Sequence, residues 1–387
     1  MKHRGRHRRR KRGQALRATL AGAALALTAA ATMISASQAT DSARPGPLKP
    51  LTSAAALQEL RLHREAYPAA PVPAVRVADV VASADRALRP AAGCAAAERA
   101  ALPVTPAAGR AWCWDEDDTG GALAGAVTGS GDADHDGRWG EHRVLLSGWS
   151  DARGRARIAV VDAERMTYAW VLPVVPADGG RSVRPLRSPL SGLVWYQDKL
   201  LATGDDGRTL YVYDMDRIRR DGTGFTLSAV AAYRLAGEAR IGALSLDRST
   251  APDSLAVSEA VPADADRPAR LWRYALRTGT SGPGAGLPEP DPVEAYETEA
   301  AEVHGVLAHR SRWYLARGDG AFDGHGTLVR LDGGGAAAAQ CGPDGTYQCW
   351  SGPAGSLSYW EETGEVWSQS GRMLFSLGLN TVDRSLE

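Results

Sequence analysis

Three acidic side chains at alternate positions, Asp132-x-Asp134-x-Asp136, followed at once by Gly137, have the spacing for metal chemistry. On a bent loop such carboxylates converge on a hard cation such as calcium, and the glycine makes the bend. A full calcium loop of this kind would carry a bidentate Glu at its twelfth position, where this chain has Arg143, with Glu141 two residues early. A weak calcium site and an ordinary solvated acidic turn both fit the pattern. A second constellation is Glu302 and His304, which alternate and so share one face of a strand, where they could act as an acid/base pair or as metal ligands. Arg240 joins them as a candidate, and Asp205, Asp206, Arg317 and Asp319 fall in topologically equivalent loops. A polar, water-filled channel lining explains the same residues without catalysis.

Other chemistry is disfavoured by what the chain lacks. It has no HExxH, no GxSxG, no Walker loop and no dinucleotide fingerprint, so a zincin, an elbow-type serine hydrolase and an NTPase are poor readings. Four cysteines fall in two local pairs, Cys94 with Cys113 and Cys341 with Cys349. Neither pair has zinc-site spacing or histidine partners, and an even count in an exported chain predicts disulfides within each pair.

Export is read from the N-terminus. Residues 1–17 are basic, residues 18–34 are apolar, and Ser37-Gln38-Ala39 supplies small residues for cleavage after Ala39. Residues 1–39 thus read as a signal peptide and the mature chain as extracellular, with an uncleaved anchor as the alternative. The first 39 residues hold nine basic and no acidic side chains, and the remainder holds 36 basic against 45 acidic, a net of −9. A chain that acidic is a poor binder of phosphate backbones, so nucleic acid is set aside as a partner, as is the membrane once the signal is removed.

The elements that must position these residues are strands. From about residue 122 one three-strand phrase recurs five times, opened by Gly125-Ala126-Val127, Gly192-Leu193-Val194, Gly242-Ala243-Leu244, Gly305-Val306-Leu307 and Gly355-Ser356-Leu357. The Asp-Gly pairs between the strands are turn signals. Recurrence of this kind predicts an all-β chain folded as a β-propeller, five-bladed by count and six-bladed if residues 69–121 hold a degenerate blade. Outer strands are available from residues 168, 228 and 293. The last phrase has none, so a segment ahead of residue 122 is expected to supply it and close the ring. The domains are then residues 1–39 as signal, 40–50 as Pro-rich linker, 51–121 as an N-terminal segment with a helix over 52–66, and 122–387 as the propeller. Trp149, Trp195, Trp272, Trp313, Trp360 and Trp367 fall within strands, where packing between blades suits them better than sugar stacking. Thr203–Leu210 resembles the Asp-box turn of sialidase-type propellers, which speaks for fold and not for hydrolysis.

CWDEDD at 113–118, the WG-x-x-R-x-LL phrase at 139–146, GLVWY with LYVYDM at 192–215 and LSYW at 357–360 together resemble a group of uncharacterised secreted actinomycete β-propeller-like proteins. The resemblance spans about residues 90–380. It implies export and the propeller fold and assigns no catalytic residue. The sequence therefore points to a secreted binding or scaffold propeller of unspecified ligand. The alternative is an extracellular hydrolase, lactonase-like and metal-dependent or glycoside-active, working at the propeller mouth.

Overall fold

Short apolar runs broken by glycine and Asp-Gly turns fold as antiparallel strands because each run buries one or both faces and the turns supply the reversals. The computed structural model describes residues 45–68, 73–187, 190–222, 224–262, 264–279, 284–318, 324–342, 346–352 and 354–387. The expected signal peptide and residues 40–44 of the linker, like Asp319, lie outside the described residues. Among those described, no helix is long and apolar enough to cross a membrane.

Five antiparallel meanders follow one another. The first is Leu123–Gly129, Val144–Ser150, Ala156–Asp162 and Thr167–Ala177, and the second Leu193–Tyr196, Lys199–Gly204, Thr209–Asp221 and Gly224–Leu235. The third is Ile241–Asp247, Ser254–Glu259, Ala269–Ala275 and Glu294–Thr298, and the fourth Val303–His309, Arg312–Arg317, Thr327–Asp332 and Gly335–Ala338. The fifth takes Ala354–Trp360, Glu365–Ser370 and Met373–Gly378 from the end of the chain and Arg110–Cys113 from ahead of the first, with Met373 opposite Cys113 and Ser376 opposite Arg110. The outer strands Thr167–Ala177 and Gly224–Leu235 also pair in parallel, Phe225 opposite Val171, so the first two sheets are joined at their rims.

Each sheet packs one face on its predecessor and the other on its successor. Ala126, Leu146 and Ile158 of the first meet Trp195, Tyr211 and Tyr213 of the second. Leu201 and Val212 meet Leu244, Val257 and Trp272 of the third, whose other face sets Ala243 and Leu271 against Val306, Trp313 and Leu315 of the fourth. Leu307 and Tyr314 then meet Leu357 and Phe375 of the fifth. Trp360, Trp367 and Leu374 of the fifth pack on Val127, Trp149 and Tyr168 of the first. This is a β-propeller-like fold in which the buried apolar side chains of each sheet meet a partner sheet, each burial contributing roughly 1.5–3 kcal/mol, while Leu123 and Leu172 of the first sheet stay exposed. The six strand tryptophans named above are all buried.

The opening glycines earn their place by close approach. A methyl group on Gly125 would lie 2.4 Å from the Leu190 carbonyl oxygen, and the inner strand carries a register shift between Ala124 and Val127. The inner strands of the third, fourth and fifth sheets shift register at the equivalent glycine.

Ahead of the sheets the structure departs from the sequence reading. The helix over 52–66 is real only as Ala54–Glu59, capped by Ser53, and Leu62–Ala66 is instead a strand on the rim of the second sheet, Tyr233 opposite Arg64. The free edge of Gly224–Leu235 offers main-chain groups that outweigh the weak helical preference of this short segment. The linker ends in Lys49–Pro50, which pairs with Glu294–Thr298. Residues 73–121 form short helices, including Val77–Ala82, and short strands that pair into the first and fifth sheets rather than a sheet of their own. Two disulfides, Cys94–Cys113 and Cys341–Cys349, are present. In CWDEDD, Asp115 caps the helical turn Glu116–Thr119, and Asp118 accepts from Arg86 Nε at 2.9 Å and the Tyr168 hydroxyl at 2.6 Å, fastening this segment to the first sheet.

Candidate functional site

Because successive inner strands run the same way, their starts gather at one face and their ends at the other. The starts border a cavity of about 670 Å3 lined by Asp206, Arg240, Glu302 and His304 together with Glu238 and Arg267. The structure thus brings Glu302, His304, Arg240 and Asp206 to one cleft.

Glu302 does not sit in the strand. It precedes Val303–His309 in the left-handed conformation, φ 54°, with its N–H donating to Val261 O and its carbonyl accepting from Gly318 N at 3.0 Å. Gly318 fits directly over the pair: a methyl group there would lie 2.8 Å from His304 Nε2 and 3.5 Å from a Glu302 carboxylate oxygen. His304 opens into the cleft, yet the surrounding walls displace bulk water, and this desolvation holds the imidazole below the ordinary histidine value, with Glu302 opposing. A neutral imidazole beside a carboxylate can accept a proton or ligate a metal. Arg317, under the same desolvation with Glu302 again opposing, is lowered but stays a cation, and its Nε donates to Ala301 O at 2.9 Å.

Asp206 and Gly207 turn the second sheet's loop into the cleft with φ of 56° and 80°, and Ile241 N donates to Gly207 O at 2.8 Å. Asp205 points away: its carboxylate accepts from the Tyr211 hydroxyl and lies 3.7 Å from Arg184. The Asp-box-like turn therefore braces its own sheet and gives the cleft Asp206 alone. Glu259, unremarked in the sequence, forms the foundation of one wall. Fully buried, it is gripped by Arg267 at 2.9 Å and by Arg270 at 2.9 and 3.1 Å. Desolvation raises its pKa, but these two guanidinium partners outweigh burial and hold the carboxyl below its usual value. Arg267, which lines the cleft, is thereby fixed in place. Its neighbours in sequence carry no signal for this, since the ion pair forms across a hairpin.

The acidic loop is at the opposite face, where the inner strands end, and its three carboxylates are not brought together. Ser130–Ala133 forms one helical turn that rotates Asp132 into the protein, 2% exposed, while Asp134 and Asp136 stay in solvent, where Asp136 caps Arg138 N at 2.8 Å. The reason is packing: Gly129 and Gly131 lie against the Trp360 ring, and Asp132 Oδ2 accepts from the Thr128 and Ser358 hydroxyls at 2.6 and 2.7 Å. Burial pushes the Asp132 carboxyl up to about 6, against the pull of those two hydroxyls and of Arg248. A second cavity, about 480 Å3, lies here between Asp134, His135, Trp139, Tyr196, Asp216 and Arg248.

Among the described residues, three ligating side chains come within 4.8 Å of one another in two places. One is the Cys94–Cys113 disulfide beside Glu98, which is not a metal site. The other is Asp198, Asp214 and Asp216, where Lys199 contacts both Asp198 and Asp214 as their counter-charge. Neither Glu302 with His304 nor the DxDxD loop forms such a group.

No family model matches the chain, and no curated protein does. Among solved structures, a gluconolactonase from Xanthomonas campestris aligns with a TM-score of 0.34 and 16% identity, covering 80% of this chain and 98% of that one. The extracellular region of plexin A4 aligns with a TM-score of 0.31 and 9% identity over 67% of this chain and 43% of its own. Likeness at this level assigns neither fold nor activity, and the strand pairing carries the fold by itself.

Proposed function

We propose that the chain is a secreted five-bladed β-propeller that binds a small polar ligand at the face carrying Arg240, Glu302 and His304. The observation that carries this reading is the 670 Å3 cleft, which mixes opposite charges, Arg240 and Arg267 with Asp206, Glu238 and Glu302, over an apolar base of Ile241, Val261 and Val303. A concave site with a few polar groups on an apolar floor suits a ligand of mixed character. Five sheets packed in sequence, the last on the first, support the blade count. The basic-then-apolar N-terminus and the two disulfides support export.

The test is a thermal-shift and calorimetric panel of gluconate, glucose, maltose and free amino acids. One class should bind saturably, and Arg240→Ala and His304→Ala should each weaken that binding by about tenfold, the loss of one hydrogen bond. A panel on which both variants behave as wild type would remove the cleft from the reading.

The pairing of a neutral His304 with Glu302 favours one second reading, an extracellular hydrolase of the lactonase type. Hydrolysis of glucono-δ-lactone above the buffer rate, lost in Glu302→Gln, would replace the binding reading with this one.

A further inference from the structure

We infer that a hard cation binds at the far end of the hub, opposite the cleft, held by the Asp132 carboxylate and the Ser245 hydroxyl. The observation is a surplus of sealed oxygens. Asp132 Oδ2 takes both available hydroxyl donors, and Oδ1, buried, has no partner among the described residues. The Ser245 hydroxyl, 2% exposed, has none either. By register, Ser245 falls at the level where Thr128 and Ser358 meet Asp132. Thr128, Ser245 and Ser358 each stand three residues after the glycine that opens an inner strand, Gly125, Gly242 and Gly355. Arg248, three residues past Ser245, donates to the Asp132 carbonyl oxygen. A third buried oxygen without a donor, Gln197 Oε1, lies just past the inner strand Leu193–Tyr196 and borders the 480 Å3 cavity.

A buried carboxylate is unfavourable unless a cation or a proton matches it. Arg248 matches it only in part and through space, because it reaches the main chain of Asp132 rather than its carboxylate, and its guanidinium already faces Asp253 at 3.6 Å and His135. Oxygen donors alone select Ca2+ or Na+ over a thiophilic metal. The neighbouring cavity carries Asp134, Asp198 and Asp216, carboxylates that concentrate cations at its entrance. The inference is independent of the ligand proposed for the cleft, since it concerns the other face.

The experiment compares thermal melts of the secreted chain in EDTA, in millimolar calcium chloride, in sodium chloride, and in choline chloride at matched ionic strength. Calcium or sodium should raise the wild-type midpoint by several degrees over choline. The doubly substituted Asp134→Asn, Asp136→Asn chain should keep that rise. Asp132→Asn should fold, equal or exceed wild type in EDTA, and show no rise. Terbium, replacing calcium, should give tryptophan-sensitised luminescence in wild type through Trp360, which packs on Gly129 and Gly131, and none in Asp132→Asn. Wild-type melts that superimpose in all four media would overturn the inference. So would a rise that survives Asp132→Asn, or one lost with Asp134 and Asp136, which would put the ion on the exposed loop.

Discussion

Without a cation, Asp132 should make the protein less stable as pH rises, the reverse of the usual carboxylate effect. The carboxyl is buried against Thr128 and Ser358, and its folded value of about 6 stands above the ordinary 3.8. A group whose folded pKa is raised holds its proton more tightly in the native state, so the native state binds more protons between pH 4 and 6 and stability falls through that window. Two units correspond to about 3 kcal/mol, undiscounted for solvent because the group is fully enclosed. Asp132→Asn keeps the shape and an acceptor for both hydroxyls but leaves an amide N–H2 where Oδ1 had no partner, a penalty of about 1–3 kcal/mol that does not vary with pH. The variant should therefore trail or match wild type at pH 4 and gain on it by about 3 kcal/mol by pH 7. Urea midpoints of both chains in EDTA at pH 4, 5, 6 and 7, disulfides intact, measure that difference, and all other titrations cancel. A difference that stays flat within about 1 kcal/mol would mean that Asp132 does not ionise inside the hub, and the burial argument would fail.

Two further outcomes follow from the same packing. Glu259→Gln should destabilise by about 1–3 kcal/mol by thermal or chemical unfolding, because Arg267 and Arg270 lose their charged partner and Arg270 keeps only its ion pair to the exposed Glu59; in the wild type that contribution is lost as pH falls below the carboxylate range, since the folded value is lowered. Gly131→Ala should destabilise by about 1–3 kcal/mol and shift the tryptophan emission, because the new methyl would lie 2.2 Å from Trp360, whereas Gly222→Ala, with nothing within 4 Å, should be neutral in the same melts.

The five sheets were legible because their logic is local. Each inner strand such as Leu193–Tyr196 or Ile241–Asp247 buries both faces, so its apolar run marks a strand without knowledge of its neighbours, and the glycine that opens it reports close backbone approach wherever the next sheet lies. What lies ahead of residue 122 was less legible, because its structure is borrowed. Leu62–Ala66 and Lys49–Pro50 are strands only by virtue of the edges they meet, Gly224–Leu235 and Glu294–Thr298. At the cleft, loop topology located Glu302, His304, Arg240 and Asp206, since it depends only on where inner strands begin. It could not separate Asp205 from Asp206, whose opposite directions follow from a single pair of left-handed residues.

The acidic loop shows what spacing alone leaves open. Alternate carboxylates converge only if the chain between them curves as an open loop, and that requires nothing else to compete for the first of them. Here the inner strands end in hydroxyls, Thr128 and Ser358, at the level where the chain turns, and Trp360 presses on two glycines so closely that no side chain fits between. One helical turn satisfies both contacts and rotates Asp132 by enough to leave Asp134 and Asp136 outside. The glycines at 129 and 131 are thus the residues that fix the turn. The inner strands thus carry the cleft beside Arg240 and His304 at their starts and the buried Ser130–Ala133 turn at the end of the first of them.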